Sequence, residues 1–139
     1  MHIVASTIIH PTEDAERVGV ALGNLFLPTS LPAETEGHQI RITSTNRDSL
    51  DYVRSKIHSL RIIDAVRSRL LSNWDGEETT LCFDKQAAYH GKLRLVDDRQ
   101  EEPPLGPLEL TLGFLSEVEF EAFLAWFAPP TKDGRIIGR

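Results

Sequence analysis

Three stretches of the chain alternate apolar and polar residues so regularly that they decide which side of a sheet can be buried. "PLELTLGF" (107–114) sets Leu108, Leu110 and Leu112 against Glu109 and Thr111. "HQIRITS" (38–44) sets Ile40 and Ile42 against Arg41 and Thr43, and "IVASTII" (3–9) alternates with β-branched residues. A period of two places the apolar set on one face of a strand and leaves the other face wet. A sheet made of such strands takes helices mostly on one side. A doubly wound parallel sheet, whose strands are buried on both faces, is the less favoured architecture.

Two further segments, "TTLCFDK" (79–85) and "GKLRLVD" (91–97), read as strands close enough to pair as a hairpin around "QAAYH". Pro11 suits the first position of a helix, with Thr12, Glu13 and Asp14 placing acid near the positive end of its dipole. That helix turns Val18, Leu22 and Leu25 inward, and "PTSLPAETEG" (28–37) follows as a loop. Residues 46–73 invite one long helix, but the apolar phases forbid it. Leu50, Val53, Ile57 and Leu60 point one way, and Ile62, Ile63, Val66 and Leu70 another, displaced by roughly 145° at 100° per residue. A break near His58–Arg61 gives two helices, the second ended by "SNWDGEE". "QEEPPLGP" (100–107) is a rigid connection. Ser116 and Glu119 have capping-box spacing ahead of "EVEFEAFLAWFA", a last helix stopped by Pro129-Pro130. The order β-α-β-α-α-β-β-β-α predicts a single α+β domain over residues 1–139, with an antiparallel or mixed sheet and helices mainly on one face. Residues 130–139 form a flexible tail with a turn at Asp133-Gly134 in this reading.

At 139 residues the chain can bury one sizeable core, and no apolar run approaches the roughly 20 residues of a membrane helix. The start turns acidic at once and makes a poor signal peptide. A single cysteine, Cys82, rules out an internal disulfide, fits a reducing cytoplasm and is expected in the core. The net charge of −6 argues against a generic nucleic-acid coat, yet its distribution is uneven. Residues 41–70 carry seven Lys/Arg against Asp48, Asp51 and Asp64, a local excess of +4, whereas residues 101–128 carry six Glu and no base. Such a molecule can bind phosphate on its basic side, because salt confines each field to its neighbourhood.

The five histidines (2, 10, 38, 58 and 90) show no metal-ligand spacing, and there is no Gly-rich phosphate loop, nucleophile elbow or CxxC pair. Asp97-Asp98 and Glu101-Glu102 read as solvent-facing, and Trp74 and Trp126 as core or interface residues. No nucleophile, base and oxyanion donor can be named together, so the expectation is a protein without catalytic residues, metal or cofactor. What remains is basic. Arg47, Arg54 and Arg61 are seven apart, Arg67 and Arg69 follow, and Lys85, Lys92 and Arg94 surround the "QAAYH" connection. Arg54, Arg61, Arg67, Arg69, Lys85, Lys92 and Arg94 are therefore the candidate RNA-binding residues, since guanidinium and ammonium groups match phosphate oxygens. Pairing with Asp48, Asp51 and Asp64 is the competing use of the same arginines.

"HPTEDAERVGVALGNLF" (10–26), "RIIDAVRSRLL" (61–71), "FDKQAAYHGKLRLVDD" (83–98), "EEPPLGPLEL" (101–110) and "WFAPPTKDG" (126–134) run in order along nearly the whole chain. Together they resemble a family of small archaeal proteins of uncharacterised function, grouped with predicted RNA-binding proteins and in part proposed as exosome-associated. The family's fold is similar to that of the large-subunit ribosomal protein that binds 5S ribosomal RNA. The resemblance implies an α+β fold, a cytoplasmic location and structured RNA as partner, in a role accessory to RNA processing. It carries over no catalytic residue. His10 stands where an asparagine cap is usual, and Pro130 where an arginine is expected. The alternative is a protein-interaction module or homodimer that uses a sheet edge or an apolar helix face.

Overall fold

The alternating segments sort as their period requires. In the computed structural model, which describes residues 1–96, 105–132 and 135–136, five strands form one antiparallel sheet. They are β1 (His2–Ile8), β2 (Glu34–Glu36), β3 (Gln39–Ser44), β4 (Glu78–Asp84) and β5 (Pro107–Gly113), in the spatial order β2-β3-β1-β5-β4. One row across the sheet shows the register: Ile42 faces Ala5, Ala5 faces Leu110, and Leu110 faces Leu81. All four are buried. The next row, Thr43, Val4, Thr111 and Thr80, turns to the opposite, partly solvated face. Cys82 is paired with Glu109 and belongs to that outer face, half-buried rather than in the core as expected. Its neighbours Leu81 and Phe83 point inward, and a strand cannot bury three residues in succession on one face.

Helices α1 (Ala15–Gly23), α2 (Asp51–Ser59), α3 (Ile63–Asn73) and α5 (Glu117–Phe127), with the short α4 (Lys85–Tyr89), complete the layer. Val18 and Leu22 of α1, Val53 and Ile57 of α2, Val66 and Leu70 of α3, and Phe120 and Phe127 of α5 join the inward strand residues in one continuous core. An aromatic run extends it: Trp74 stacks on Phe120 at 4.1 Å between centroids, and Phe123 stacks on Phe127 at 4.9 Å. Ser116 caps α5 by accepting from the Glu119 N–H at 3.2 Å, as its spacing predicts.

Several local readings change. Helix α1 begins at Ala15 and not at Pro11, because Asp14 is its cap, accepting from the Glu16 N–H at 3.0 Å. Residues 10–13 form a turn instead, in which the His10 N–H donates to Glu13 Oε1 at 3.0 Å. The 28–37 loop contains the edge strand β2, turned back onto β3 at Gly37, whose φ of +62° favours glycine. "QAAYH" is a helical turn, since the Asp84 carboxylate accepts from the N–H groups of Gln86 and Ala87. The expected strand 91–97 shrinks to a bridge between Phe83 and Leu95, flanked by Asp84 N–H to Arg94 and Val96 N–H to Cys82 carbonyl bonds. Residues assigned to the tail form a small hairpin, β6 (Thr131–Lys132) with β7 (Arg135–Ile136), and the Thr131 hydroxyl donates to Asp64. Asp97-Asp98, Glu101-Glu102, most of the 100–107 connection and the Asp133-Gly134 turn lie outside the described residues.

The predicted break between two helices is present. Leu60 closes α2, Arg61 has φ +58°, and α3 begins at Ile63. The Arg61 N–H donates to the His58 carbonyl and the Ile62 N–H to the Ile57 carbonyl. That pair of reversed bonds is the Schellman motif, which turns the chain by placing one residue in the left-handed region.

Candidate nucleic-acid interface

Helix α5 ends in "WFAPP", and that ending creates a demand. The last carbonyls of any helix lack intrahelical donors, and proline has no N–H with which the following backbone could satisfy them. The last turn of α5 carries no basic side chain of its own. Donors arrive from α2 and α3. Arg54 Nε donates to the Trp126 carbonyl at 2.6 Å, His58 Nε2–H to the Phe127 carbonyl at 2.9 Å, and Arg67 Nη1 to the Ala128 carbonyl at 3.0 Å. Three successive carbonyls at the negative end of the helix dipole thus meet basic groups, an arrangement favoured on both counts.

The same place gathers more charge. The Arg47 guanidinium lies 4.5 Å from the Trp126 ring centroid and that of Arg54 lies 5.1 Å from it. Arg61 stands exposed at the α2–α3 elbow. Lys132 is exposed and follows Thr131, which is tied to Asp64 on α3. Arg47, Arg54, Arg61 and Arg67 have no carboxylate oxygen within 4.0 Å among the described residues, so the competing reading, neutralisation by Asp48, Asp51 and Asp64, is not what the side chains do. Arg54 and Arg67 are held by carbonyls, and Arg47 and Arg54 lie against the Trp126 ring. We call this group the arginine collar.

The seven candidates therefore divide. Arg54 and Arg67 converge on the end of α5, Arg61 stands exposed at the elbow between α2 and α3, and Arg69 is half-buried further along α3. Lys85, Lys92 and Arg94 belong to a second place, the α4 corner. Lys92 is exposed there, and Arg94 pairs with Asp84 at 3.1 Å.

Lys85 requires a correction. Its side chain is 0% exposed, and its ammonium donates to the Ile8 carbonyl at 2.7 Å, the Leu105 carbonyl at 2.7 Å and Glu13 Oε1 at 3.1 Å. An ammonium has three protons, and all three are used. A phosphate cannot reach it, so Lys85 leaves the RNA-binding set and becomes a tie between three chain segments. Glu13 is its counter-ion and also accepts from the Tyr89 hydroxyl at 2.8 Å. Burial pushes the Glu13 carboxyl up, but the His10 N–H, Tyr89 and Lys85 outweigh it and hold the group below its ordinary value. Burial and the bond to Glu13 push the Tyr89 phenol up to about 12.

Arg47, His58 and Trp126 were outside the sequence-derived set. The seven-residue spacing of Arg47, Arg54 and Arg61 contained the first, and the i, i+4 pair Arg54/His58 the second. The signal for Trp126 is the Pro-Pro ending itself, which requires donors from elsewhere at that carbonyl. Among the described residues no helix is long and apolar enough to cross a membrane, and no group of three His, Cys, Asp or Glu could hold a metal ion.

A family model described as RNA binding matches residues 2–104. A UPF0201 protein of Metallosphaera sedula is 36% identical over 137 residues, covering 96% of this chain and 91% of its own. The crystal structure of a UPF0201 protein superimposes with a TM-score of 0.76 at 30% identity, covering 99% of this chain and all of that one. A second, from Methanococcus jannaschii, shares the fold with a TM-score of 0.77 at 24% identity over the same coverage. The chain therefore belongs to the RNA-binding family that includes the archaeal UPF0201 proteins.

Proposed function

We propose that the protein is a non-catalytic RNA-binding protein, accessory to RNA processing, whose arginine collar holds phosphates. The observation that carries this reading is the set of guanidiniums gathered around one helix end, Arg47, Arg54 and Arg67, with Arg61 exposed at the α2–α3 elbow, none of the four having a carboxylate partner among the described residues. Anchoring on carbonyls and on Trp126 lowers the ordering cost that long side chains otherwise face on binding. Lys92 and Arg94 remain secondary contacts, and Arg69 an inner one. Exposed apolar residues and the absence of a nameable reacting set favour binding over chemistry.

The test is a salt titration of RNA binding by fluorescence anisotropy. Each phosphate contact contributes about 0.7–0.9 to the slope of log affinity against log salt, so four arginines give a slope near −3. Arg47→Ala and Arg61→Ala, both at exposed positions, should each flatten it by about one contact. RNA that binds with no salt dependence, or not at all in low salt, overturns the reading.

One observation favours a second reading, a protein-interaction module. A groove of about 540 Å³ lies between α1 and the 27–35 loop, where Val20 (61%) and Leu27 (41%) are exposed beside the free edge of β2. Glu16 lines it, and Glu34 and Glu36 stand on the other face of the same edge strand, Glu36 paired with Arg41, so a strand added to that edge meets acid on both faces and its occupant is a basic extended segment of another protein. A second copy would oppose glutamate to glutamate across the edge. A monomer by light scattering at all concentrations is the expected result, and a concentration-dependent dimer contradicts this choice of occupant.

A further inference from the structure

We infer that the RNA taken by the arginine collar is double-helical and is held through its phosphate backbones, with no base stacked on the protein. This rests on the RNA-binding reading above. Proteins that take single strands combine a basic groove with aromatic faces on which bases stack, each base contributing about 1–3 kcal/mol. The chain has six Phe, two Trp and two Tyr, and every one falls within the described residues.

Each is already occupied. Phe26, Phe83, Phe114, Phe120, Phe123 and Phe127 are buried. Trp74 lies against Phe120. Tyr89 is bonded to Glu13 and has the Arg17 guanidinium 5.8 Å from its ring centroid. Tyr52 has the Lys56 ammonium 5.6 Å from its ring centroid. Trp126, the one ring inside the collar, carries Arg47 and Arg54. A base stacking on a face that they cover would have to displace those guanidiniums. The open face of the sheet offers no alternative platform, since Val4, Thr43, Thr80 and Thr111 form its central row.

The collar is also rigid. Arg54 and Arg67 are fixed to carbonyls, and Arg47 lies by a ring. A fixed array of charges suits a ligand whose phosphates are themselves at fixed, dense spacing. A duplex provides that, and a flexible strand must be ordered first. Counterion release also favours the duplex, at about 0.9 per contact against about 0.7 for single strands. For four contacts, raising salt from about 50 to 200 mM should weaken duplex binding about 150-fold and single-strand binding about 50-fold.

The experiment compares a blunt RNA duplex of about 16 base pairs, a length at which shape-reading proteins engage double-stranded RNA, with each of its component strands. Binding is read by anisotropy at about 100 mM salt. The duplex should bind at least about tenfold tighter than either strand, a difference of about 1.4 kcal/mol. Trp74→Phe, which leaves Trp126 as the single tryptophan, adds a second readout: its emission should hold its intensity when the duplex binds. Strands that bind as tightly as the duplex, or strong quenching of Trp126 by either ligand, overturn the duplex inference and leave the RNA reading standing. Salt-sensitive binding of neither RNA overturns both.

Discussion

The α4 corner and the α2–α3 elbow are built alike and used oppositely. Both are helix ends closed by the same reversed pair of hydrogen bonds: Gly91 to Ala88 and Lys92 to Ala87 at the corner, Arg61 to His58 and Ile62 to Ile57 at the elbow. Both gather basic side chains. At the corner the principal one, Lys85, is inside and fully bonded, and a glycine at φ +69° makes the turn. At the elbow Arg61 stays outside, without a carboxylate partner among the described residues, and its own φ of +58° makes the turn. A positive charge in a sequence is thus a poor guide to a binding site until its protons are counted. Lys85 has none to give, whereas the collar guanidiniums retain most of theirs.

The largest way to test this contrast is to empty the corner. Lys85→Ala leaves the Glu13 carboxylate buried without its counter-ion and removes a donor from two carbonyls. Loss of one partner of a buried pair costs about 3–5 kcal/mol, a large part of the stability of a domain this size. Urea unfolding should show it. The double variant Lys85→Met with Glu13→Gln removes both charges and should recover much of the loss. The folded double variant should bind RNA with the parent's affinity and salt slope. A Lys85→Ala protein as stable as the parent contradicts the structural role, and a folded double variant that has lost RNA contradicts the removal of Lys85 from the interface.

A smaller effect follows from Tyr89. Its phenol stays protonated in the fold up to about pH 12 but ionises near 10 when unfolded, so its contribution is whole below pH 10 and is lost as pH rises toward 12. Glu13 works at the other end: with its carboxyl held below the ordinary 4.5, its contribution is present above that value and is lost as the pH falls through the lower folded one. After allowance for partial exposure, the phenol's alkaline limb amounts to about 1–2 kcal/mol. Urea midpoints between pH 9 and 12 should fall more steeply for the parent than for Tyr89→Phe. Equal slopes would show that the phenol contributes nothing to the corner.

The elements legible in the sequence were those set by periodicity. One-sided alternation located β1, β3 and β5 and the single helical layer, the run 79–85 read as a strand located β4, and a phase shift located the elbow to within a residue or two. The corner was not legible for a physical reason. Lys85 and Glu13 are 72 residues apart, and neither alternation nor helical phase marks a charged pair that meets only when the sheet brings the ends of β1 and β4 together. "QAAYH" between two strand-like runs suits a hairpin as well as a helical turn, and the Asp84 side chain decides it through two N–H groups. The collar was half legible. The seven-residue spacing of its arginines and the Pro-Pro stop of α5 are visible, but their convergence depends on where that helix end lies in space, which the packing of Phe120, Phe123 and Phe127 fixes.

The smallest effect is the most discriminating. A left-handed residue with a side chain costs about 1–2 kcal/mol relative to its ordinary conformation. Glycine removes that cost but adds about 0.4–1 kcal/mol of freedom to the unfolded chain. Arg61→Gly should therefore stabilise the protein by about 0.5–1 kcal/mol, the difference of those two terms. The corner, which already has glycine at the equivalent position, offers no such gain. An arginine kept where glycine would be more stable is what a binding surface requires, since the left-handed turn projects the side chain from the elbow. The same variant should lower RNA affinity and flatten the salt slope by about one contact, so stability and binding move in opposite directions. If Arg61→Gly stabilises the fold and leaves the salt slope untouched, the elbow is only a turn. If it destabilises the fold, the side chain has a structural partner and the contrast with Lys85 fails.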